Sequence, residues 1–519
     1  MIASVAMQAL DWGALAPAAL AVAALLVLAL GRWPRAGTLL FCAAAYANLP
    51  VVLGAHLGAK QLFAAFFVAL VAVPAGIEAC VRRRGLRVDY PLVLMGVYLA
   101  TLLLSTLVAR DARLALNSVG GFVLEGLVVY FLILNAMRSL RTLRGIVWTL
   151  LAVAAVLSCL GLYQELRRDY TQYFWGLAPR DLADGIGDEA REEGGRPLFY
   201  ARSKVLYTHR AMGPVGDANF FAQALIMLAP LALWKLRYAR GAARLAAAGL
   251  GLLLFSGIFL TYSRGGALTL MLLALLLAAL GYVRLRHLVL GVVGLVLLVL
   301  LVAPGYLARV DSVADVLSLG QRTRPVDVDP ATRGRLTEML AAMHVFFDHP
   351  LLGVGPGQFM PYYSADYMRA ASVAFKYIDK PREAHSLYVA VAAEGGVLGF
   401  LSFFGIIAVA MWRLWRERQR WLGVRCEYAD AATACLLSLV GYLGTSVFLH
   451  LAYQRYYWLF LGLAGATAQT LASEPLPLAP PPEASPVGHW RAAPAAVRPA
   501  TPARTAPGAE RGDGACCAS

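Results

Sequence analysis

Three ionisable side chains each lie where a long apolar run meets a polar stretch. Arg264 sits in Thr261-Tyr262-Ser263-Arg264-Gly265-Gly266, Arg335 opens the stretch RGRLTEMLAAMHVFF at 333–347, and His385 begins HSLYVAVAAEGG. Guanidinium groups bind oxyanions bidentately, and imidazole is the side chain that can act as a neutral base near pH 7. Gly265-Gly266 leaves the backbone open to close approach by a ligand. These residue types suit a site that stabilises an anionic leaving group beside a proton acceptor. The blander readings are a snorkelling Arg264, a solvated helix face at Arg335, and a hydrogen-bonded interface histidine at His385.

Two carboxylates inside apolar runs, Glu394 and Glu125, are further candidates, because an intramembrane carboxylate is functional by default. On a continuous helix Glu394, nine residues beyond His385, would lie ~13 Å deeper and on the opposite face. Gly395, Gly396 and Gly399 beside it suggest close helix packing. Other patterns are weaker. Gly353-Val354-Gly355-Pro356-Gly357 looks like a nucleotide loop but precedes no strand–helix unit, so it is read as a turn. Asp327-Val328-Asp329 mimics a metal-binding pair, and His344, Asp348 and His349 lack a fourth ligand at a convincing spacing. No metal is expected. None of the seven cysteines falls in a long outer segment, so no disulfide framework is expected, and Cys516-Cys517-Ala518-Ser519 matches a prenylation box only in outline.

The elements that must position these residues are membrane helices. The 519 residues are 60% hydrophobic and 15% charged, with mean hydropathy +0.63. This excludes a typical cytosolic enzyme, a disordered chain and a coiled coil. Thirteen apolar blocks have the length of a span: 13–31, 37–55, 61–80, 90–108, 117–136, 145–164, 217–234, 245–262, 265–283, 287–304, 385–411, 431–450 and 456–472. The first lacks a positive flank, so the expected fold is an all-α polytopic membrane protein with 12 or 13 spans.

Short connectors alternate in charge, with Arg82–Arg84, Arg138/Arg141/Arg144, Lys235/Arg237, Arg284/Arg286 and Arg413–Arg425 on one side. The positive-inside rule makes that side cytoplasmic and accounts for most of the net charge of +15 without nucleic acid. Arg264, Arg335 and His385 then share one depth at the outer face.

The organisation expected is N-terminal spans at 1–164, a long outer loop at 165–216, spans at 217–304, a second long outer loop at 305–384, spans at 385–472 and a Pro/Ala-rich disordered cytoplasmic tail at 473–519. In the second loop, Leu336, Leu340, Met343 and Phe347 predict an amphipathic helix on the membrane surface.

TYSRGG at 261–266, Arg335 followed by DHPLLGVGPGQF at 348–359, and His385 with Gly396 after ten intervening residues resemble the O-antigen ligase and polymerase superfamily. RAMGPVGDANFFAQ at 210–223 is similar to that family's stretch at the start of a span, with Arg210, Gly213, Asp217 and Asn219 matching. Met339 departs from the family's Leu or Trp, which leaves the register between Arg335 and Arg333 open. The resemblance implies a C-type glycosyltransferase-like fold in the bacterial inner membrane, working on the periplasmic face. It implies metal-independent, inverting transfer of a glycan from undecaprenyl pyrophosphate to a hydroxyl of a glycan, lipid A–core or protein, with no cofactor. By position, His385 would be the base or acceptor-orienting group, and Arg264, Arg335 and secondarily Arg210 would hold the pyrophosphate. Tyr262, Ser263, Asn219 and Glu394 would support them. Ligase, polymerase, protein oligosaccharyltransferase and a non-enzymic lipid-linked glycan flippase remain as alternatives. The acceptor separates the first three, and the depth of the charges separates the last.

Overall fold

A computed structural model of the protein describes residues 29–57, 60–169, 210–284, 330–370, 381–450 and 455–476, save Gly31, Arg82 and Arg84, with a few isolated residues besides. The expected span 13–31 lies almost wholly outside the described residues, as do most of 287–304, the centre of the first long outer loop, residues 305–329 (with Asp327–Asp329) and 371–380 of the second, and the tail beyond 476. The described residues form helices and turns only.

In chain order the helices are α1 (Pro34–Tyr46), α2 (Leu49–Leu57), α3 (Lys60–Gly76), α4 (Tyr90–Thr106), α5 (Ala112–Ala136), α6 (Leu140–Arg167), α7 (Ala218–Tyr238), α8 (Ala242–Leu260), α9 (Arg264–Ala279), α10 (Pro330–Asp348), α11 (Ser364–Ala370), α12 (Leu387–Trp421), α13 (Cys426–Thr445) and α14 (Arg455–Ser473). Their starts follow from short polar side chains set just before apolar runs. Asp89, Asp111, Ser139, Asp217 and Ser263 each accept a hydrogen bond from a first-turn amide and so satisfy a donor that the helix leaves open.

Among the described residues six helices are long and apolar enough to cross a membrane: α5, α6, α7, α8, α12 and α13, the last continuing to Phe448. The expected count is higher because several blocks form shorter helices and because 13–31 and 287–304 lie largely outside the described residues. α4 has 17 residues and α9 has 16, and the block 37–55 is divided between α1 and α2 at Asn48, whose φ is 53°.

Side-chain contacts identify the two ends of the bundle. At one end Arg413 pairs with Asp89 at 2.7 Å, Arg144 with Glu427 at 2.7 Å, and Arg237 with Asp430 at 3.1 Å. These arginines belong to the connectors that set the topology, and they join the start of α4, the start of α6 and the end of α7 to α12 and α13. Between the ends, Tyr98 meets Phe122 and Phe403 edge-on at 5.1 and 5.4 Å, while Tyr442 stacks on Tyr457 at 4.5 Å. These aromatic contacts tie α4, α5, α12, α13 and α14 into one core. Glu125, a candidate from sequence, is bound to Arg455 by two hydrogen bonds and braces α5 against α14.

At the opposite end the helix ladder of α12 is broken. Gly396 has φ 61° and ψ −161° inside the helix, a region that only glycine adopts readily. The turn after α10 takes up the freed backbone groups. Val354 N donates to the Ala393 carbonyl at 3.0 Å, Gly355 N to the Glu394 carbonyl at 3.0 Å, and Val397 N to the Pro350 carbonyl at 2.8 Å. Ser105 Oγ, near the end of α4, donates towards the carbonyls of Leu352 at 2.6 Å and Glu394 at 2.9 Å. The glycine run at 353–357 is therefore a turn docked on a membrane helix.

That docking fixes one face of α10 on α12 and leaves the apolar stripe on the other. Thr337, Glu338, Ala341, Ala342 and Val345 are buried, whereas Met343 and Phe347 are 41% and 65% exposed. Small residues let α10 lie close on α12, and the bulky stripe looks outward.

Gly396→Ala should lower the melting temperature in detergent and disable the site. A side chain there is strained by about 1–3 kcal/mol and runs into the Leu351 carbonyl. Gly395→Ala, where a methyl meets nothing within 4 Å, is the control and should melt like wild type. Equal melting temperatures and activities for the two variants would refute this account of the break.

Candidate active site

At the end where α12 is broken, three segments converge: the 261–263 link between α8 and α9, the first turns of α10, and the residues just before α12. In the link, Thr261 Oγ1 donates to the Ile258 carbonyl at 2.6 Å, Tyr262 takes φ 48°, and Ser263 Oγ accepts from Gly266 N at 3.2 Å. The chain reverses in three residues and places Arg264 at the first position of α9. Arg210 supports the link from the segment before α7. Its Nε donates to the Thr261 carbonyl at 2.7 Å and its Nη2 to Asn219 Oδ1 at 3.0 Å.

A small cleft opens between these segments. Asn219, Ser263, Gly265, Gly266 and Arg335 supply its polar and backbone lining, and Thr445, Phe448 and Leu449 form the remaining wall. Four of the residues expected at the site are accounted for here: Arg335, Ser263 and Asn219 line the cleft, and Arg210 holds one of them. Arg264 and Tyr262 are half-buried beside the cleft and are not part of its lining. The first turn of α9, at the positive end of its helix dipole, contributes Gly265 and Gly266 to the cleft that Arg335 also lines.

His385 precedes α12 in a left-handed backbone conformation, φ 47°. Its Nδ1 lies 2.7 Å from Glu338 Oε2 and 3.0 Å from the Glu383 carbonyl. Both neighbours are acceptors, so Nδ1 carries the proton, and in the neutral ring Nε2 holds the lone pair. Glu338 is 1% exposed and is also 3.5 Å from the Arg382 guanidinium. Burial pulls the His385 ring towards the neutral form, but the Glu338 carboxylate and the Glu383 carbonyl outweigh burial and the Arg335 charge, so its pKa is raised above the usual 6.5. Glu383 is itself raised, chiefly by burial. Arg335 and Glu338 are three residues apart on α10, so one helix presents a cation to the cleft and a carboxylate to His385.

Glu394 is not part of the cleft lining; it lies on the first turns of α12, before the break at Gly396. Its carboxylate accepts from Phe359 N at 3.3 Å and its carbonyl receives the docked turn, so it braces the loop. Of the metal-like patterns, Asp348 accepts from the Tyr367 hydroxyl at 2.6 Å and His349 packs edge-on to Tyr363. Among the described residues no group of three or more His, Cys, Asp or Glu is placed to hold a metal ion.

Sequence reasoning missed Glu338, Glu383 and His450. Glu338 was legible as a carboxylate one turn after Arg335 on an otherwise apolar stretch. His450, read as the end of a span, lies beyond α13 with its ring centroid 5.3 Å from that of His385. The arrangement can bind an anion in the cleft and take a proton beside it.

No curated protein matches the chain. Residues 249–404, which carry Arg264, Arg335, Glu338 and His385, match the family model described as O-antigen ligase, and this region of the chain belongs to the O-antigen ligase and polymerase superfamily.

Proposed function

We propose that the protein transfers a glycan from undecaprenyl pyrophosphate to an acceptor hydroxyl at the outer face of the bacterial inner membrane. The observation that carries this reading is the joint placement of Arg335 and Glu338 on α10. It couples an anion-binding cleft to a base, as attack on a sugar pyrophosphate requires. The arginine-rich end of the bundle is cytoplasmic by the positive-inside rule, which puts the cleft at the periplasmic end.

The acceptor oxygen attacks the anomeric carbon from the face opposite the pyrophosphate, the carbon–oxygen bond to the phosphate breaks, and configuration inverts. Pyrophosphate leaves as an anion, so no strong general acid is needed. Arg335 and the first turn of α9 stabilise the developing charge, and Arg264 acts at the edge of the same space. Preorganised charge of this kind contributes about 3–4 kcal/mol per donor. His385 Nε2 takes the acceptor proton, and Glu338 holds the imidazolium that results. Such a base contributes about 10²–10⁴-fold. The residues need no metal ion for this chemistry. A polymerase reading uses the same steps with a second lipid-linked glycan as acceptor, and the long outer loop at 165–216 favours it, or a specialised ligase, over a minimal ligase.

The test is transfer by the purified protein from an undecaprenyl-pyrophosphate glycan, with lipid A–core and the lipid-linked glycan offered as separate acceptors. Product on lipid A–core identifies a ligase, and a ladder from the donor alone identifies a polymerase. Absence of both, with labelled donor crossing a liposome membrane, would replace the enzyme with a transporter. His385→Ala should abolish product while leaving membrane insertion intact, and near-normal turnover would remove it as the base. Arg335→Lys should lower turnover about tenfold or more, because a point charge does not replace a bidentate fork; full activity would place the pyrophosphate elsewhere.

Glu338→Gln removes the group that raises the His385 pKa. Because the base form is the unprotonated ring, activity rises with pH through that pKa, and the acidic limb of kcat/KM should shift to lower pH in the variant. The plateau should also fall, since the imidazolium loses its partner. An acidic limb at the wild-type position would show that Glu338 does not act on the base.

A further inference from the structure

The His450 ring contacts two other rings edge-on: Phe220 at 5.4 Å between centroids and 81°, and His385 at 5.3 Å and 67°. The two residues before it, Phe448 and Leu449, line the cleft that Arg335 shares with Ser263. Its Nδ1 is buried and has no hydrogen-bond partner among the described residues. A phenylalanine would make the same ring contacts without leaving a polar atom unsatisfied, so packing alone does not explain an imidazole here.

We propose that His450 is a second imidazole of the site, which hydrogen-bonds the acceptor glycan beside the hydroxyl that His385 deprotonates. This deepens the glycan-transfer reading and rests on it. The two rings are held differently. Two acceptors fix the tautomer of His385, whereas no described neighbour fixes that of His450. Nε2 of His450 can therefore donate or accept, matching a sugar hydroxyl, which does both. Burial and then the nearby His385 push the His450 pKa down to about 4, against a smaller upward pull from Asp217. The ring thus stays neutral when His385 takes its proton. Two adjacent imidazoles, one a base and one neutral, suit an acceptor that carries neighbouring hydroxyls.

The test compares His450→Phe, which keeps the ring contacts, with His450→Gln, which restores a polar group near the position of Nε2. Transfer from the undecaprenyl-pyrophosphate glycan is measured while lipid A–core and the lipid-linked glycan are each titrated as acceptor. His450→Phe should lower kcat/KM for the productive acceptor about tenfold, equivalent to roughly 1.4 kcal/mol. The donor KM should be unchanged, and His450→Gln should recover most of the loss. Wild-type acceptor kinetics in His450→Phe would overturn the assignment, as would a folded His450→Gln no better than Phe. If His450→Phe fails to fold, His450→Gln decides alone: near-normal acceptor kinetics support the hydrogen bond, and loss refutes it. Absence of product from wild type in every arm would remove the glycan-transfer reading, whereas product from wild type and His450→Phe alike would remove only the role of His450.

Discussion

The exchange of backbone hydrogen bonds between the broken turn of α12 and the Pro350–Gly355 turn is the constraint on which the site depends. A membrane helix cannot leave amides and carbonyls unsatisfied in an apolar medium, so a break survives only where other groups replace the lost ladder. Here Val354, Gly355 and Pro350 supply the replacements, and Ser105 of α4 clamps the junction. Because the turn follows α10 directly, the same bonds set where α10 lies on α12. Arg335 and Glu338 project from that helix, and His385 precedes the other. The distance from Glu338 to His385 is thus fixed by a backbone junction some way along both helices.

This junction gives a physical meaning to the spacing between His385 and Gly396. The histidine is the proposed base, and the glycine permits the break that seats its carboxylate neighbour Glu338. The glycine run at 353–357 belongs to the same device, since a side chain at Gly353 would strike the Ala393 carbonyl. Residues that look like separate motifs in the sequence form one mechanical unit in the fold.

Much of the fold was legible because its causes are local. Apolar runs, capping side chains and the asymmetry of arginine mark out helices and their ends, and Arg264, Arg335 and His385 do fall at one end of the bundle. What was not legible required tertiary information. Helical periodicity picked out the apolar stripe Leu336, Leu340, Met343 and Phe347 of α10, but that Ala341, Ala342 and Val345 are the residues it buries depends on the surface it meets. No rule based on residue type alone places the break of α12 at Gly396 rather than Gly395. Glu338 and His450 were missed because their importance lies in what faces them across the bundle.

The most direct test of the central claim is the structure of the protein in a lipid nanodisc with a non-transferable undecaprenyl-pyrophosphate glycan analogue. The account predicts pyrophosphate within hydrogen-bonding distance of Arg335 and the first turn of α9, with the anomeric carbon facing His385 Nε2. Pyrophosphate bound at the arginine-rich end of the bundle, or a sugar turned away from His385, would contradict it.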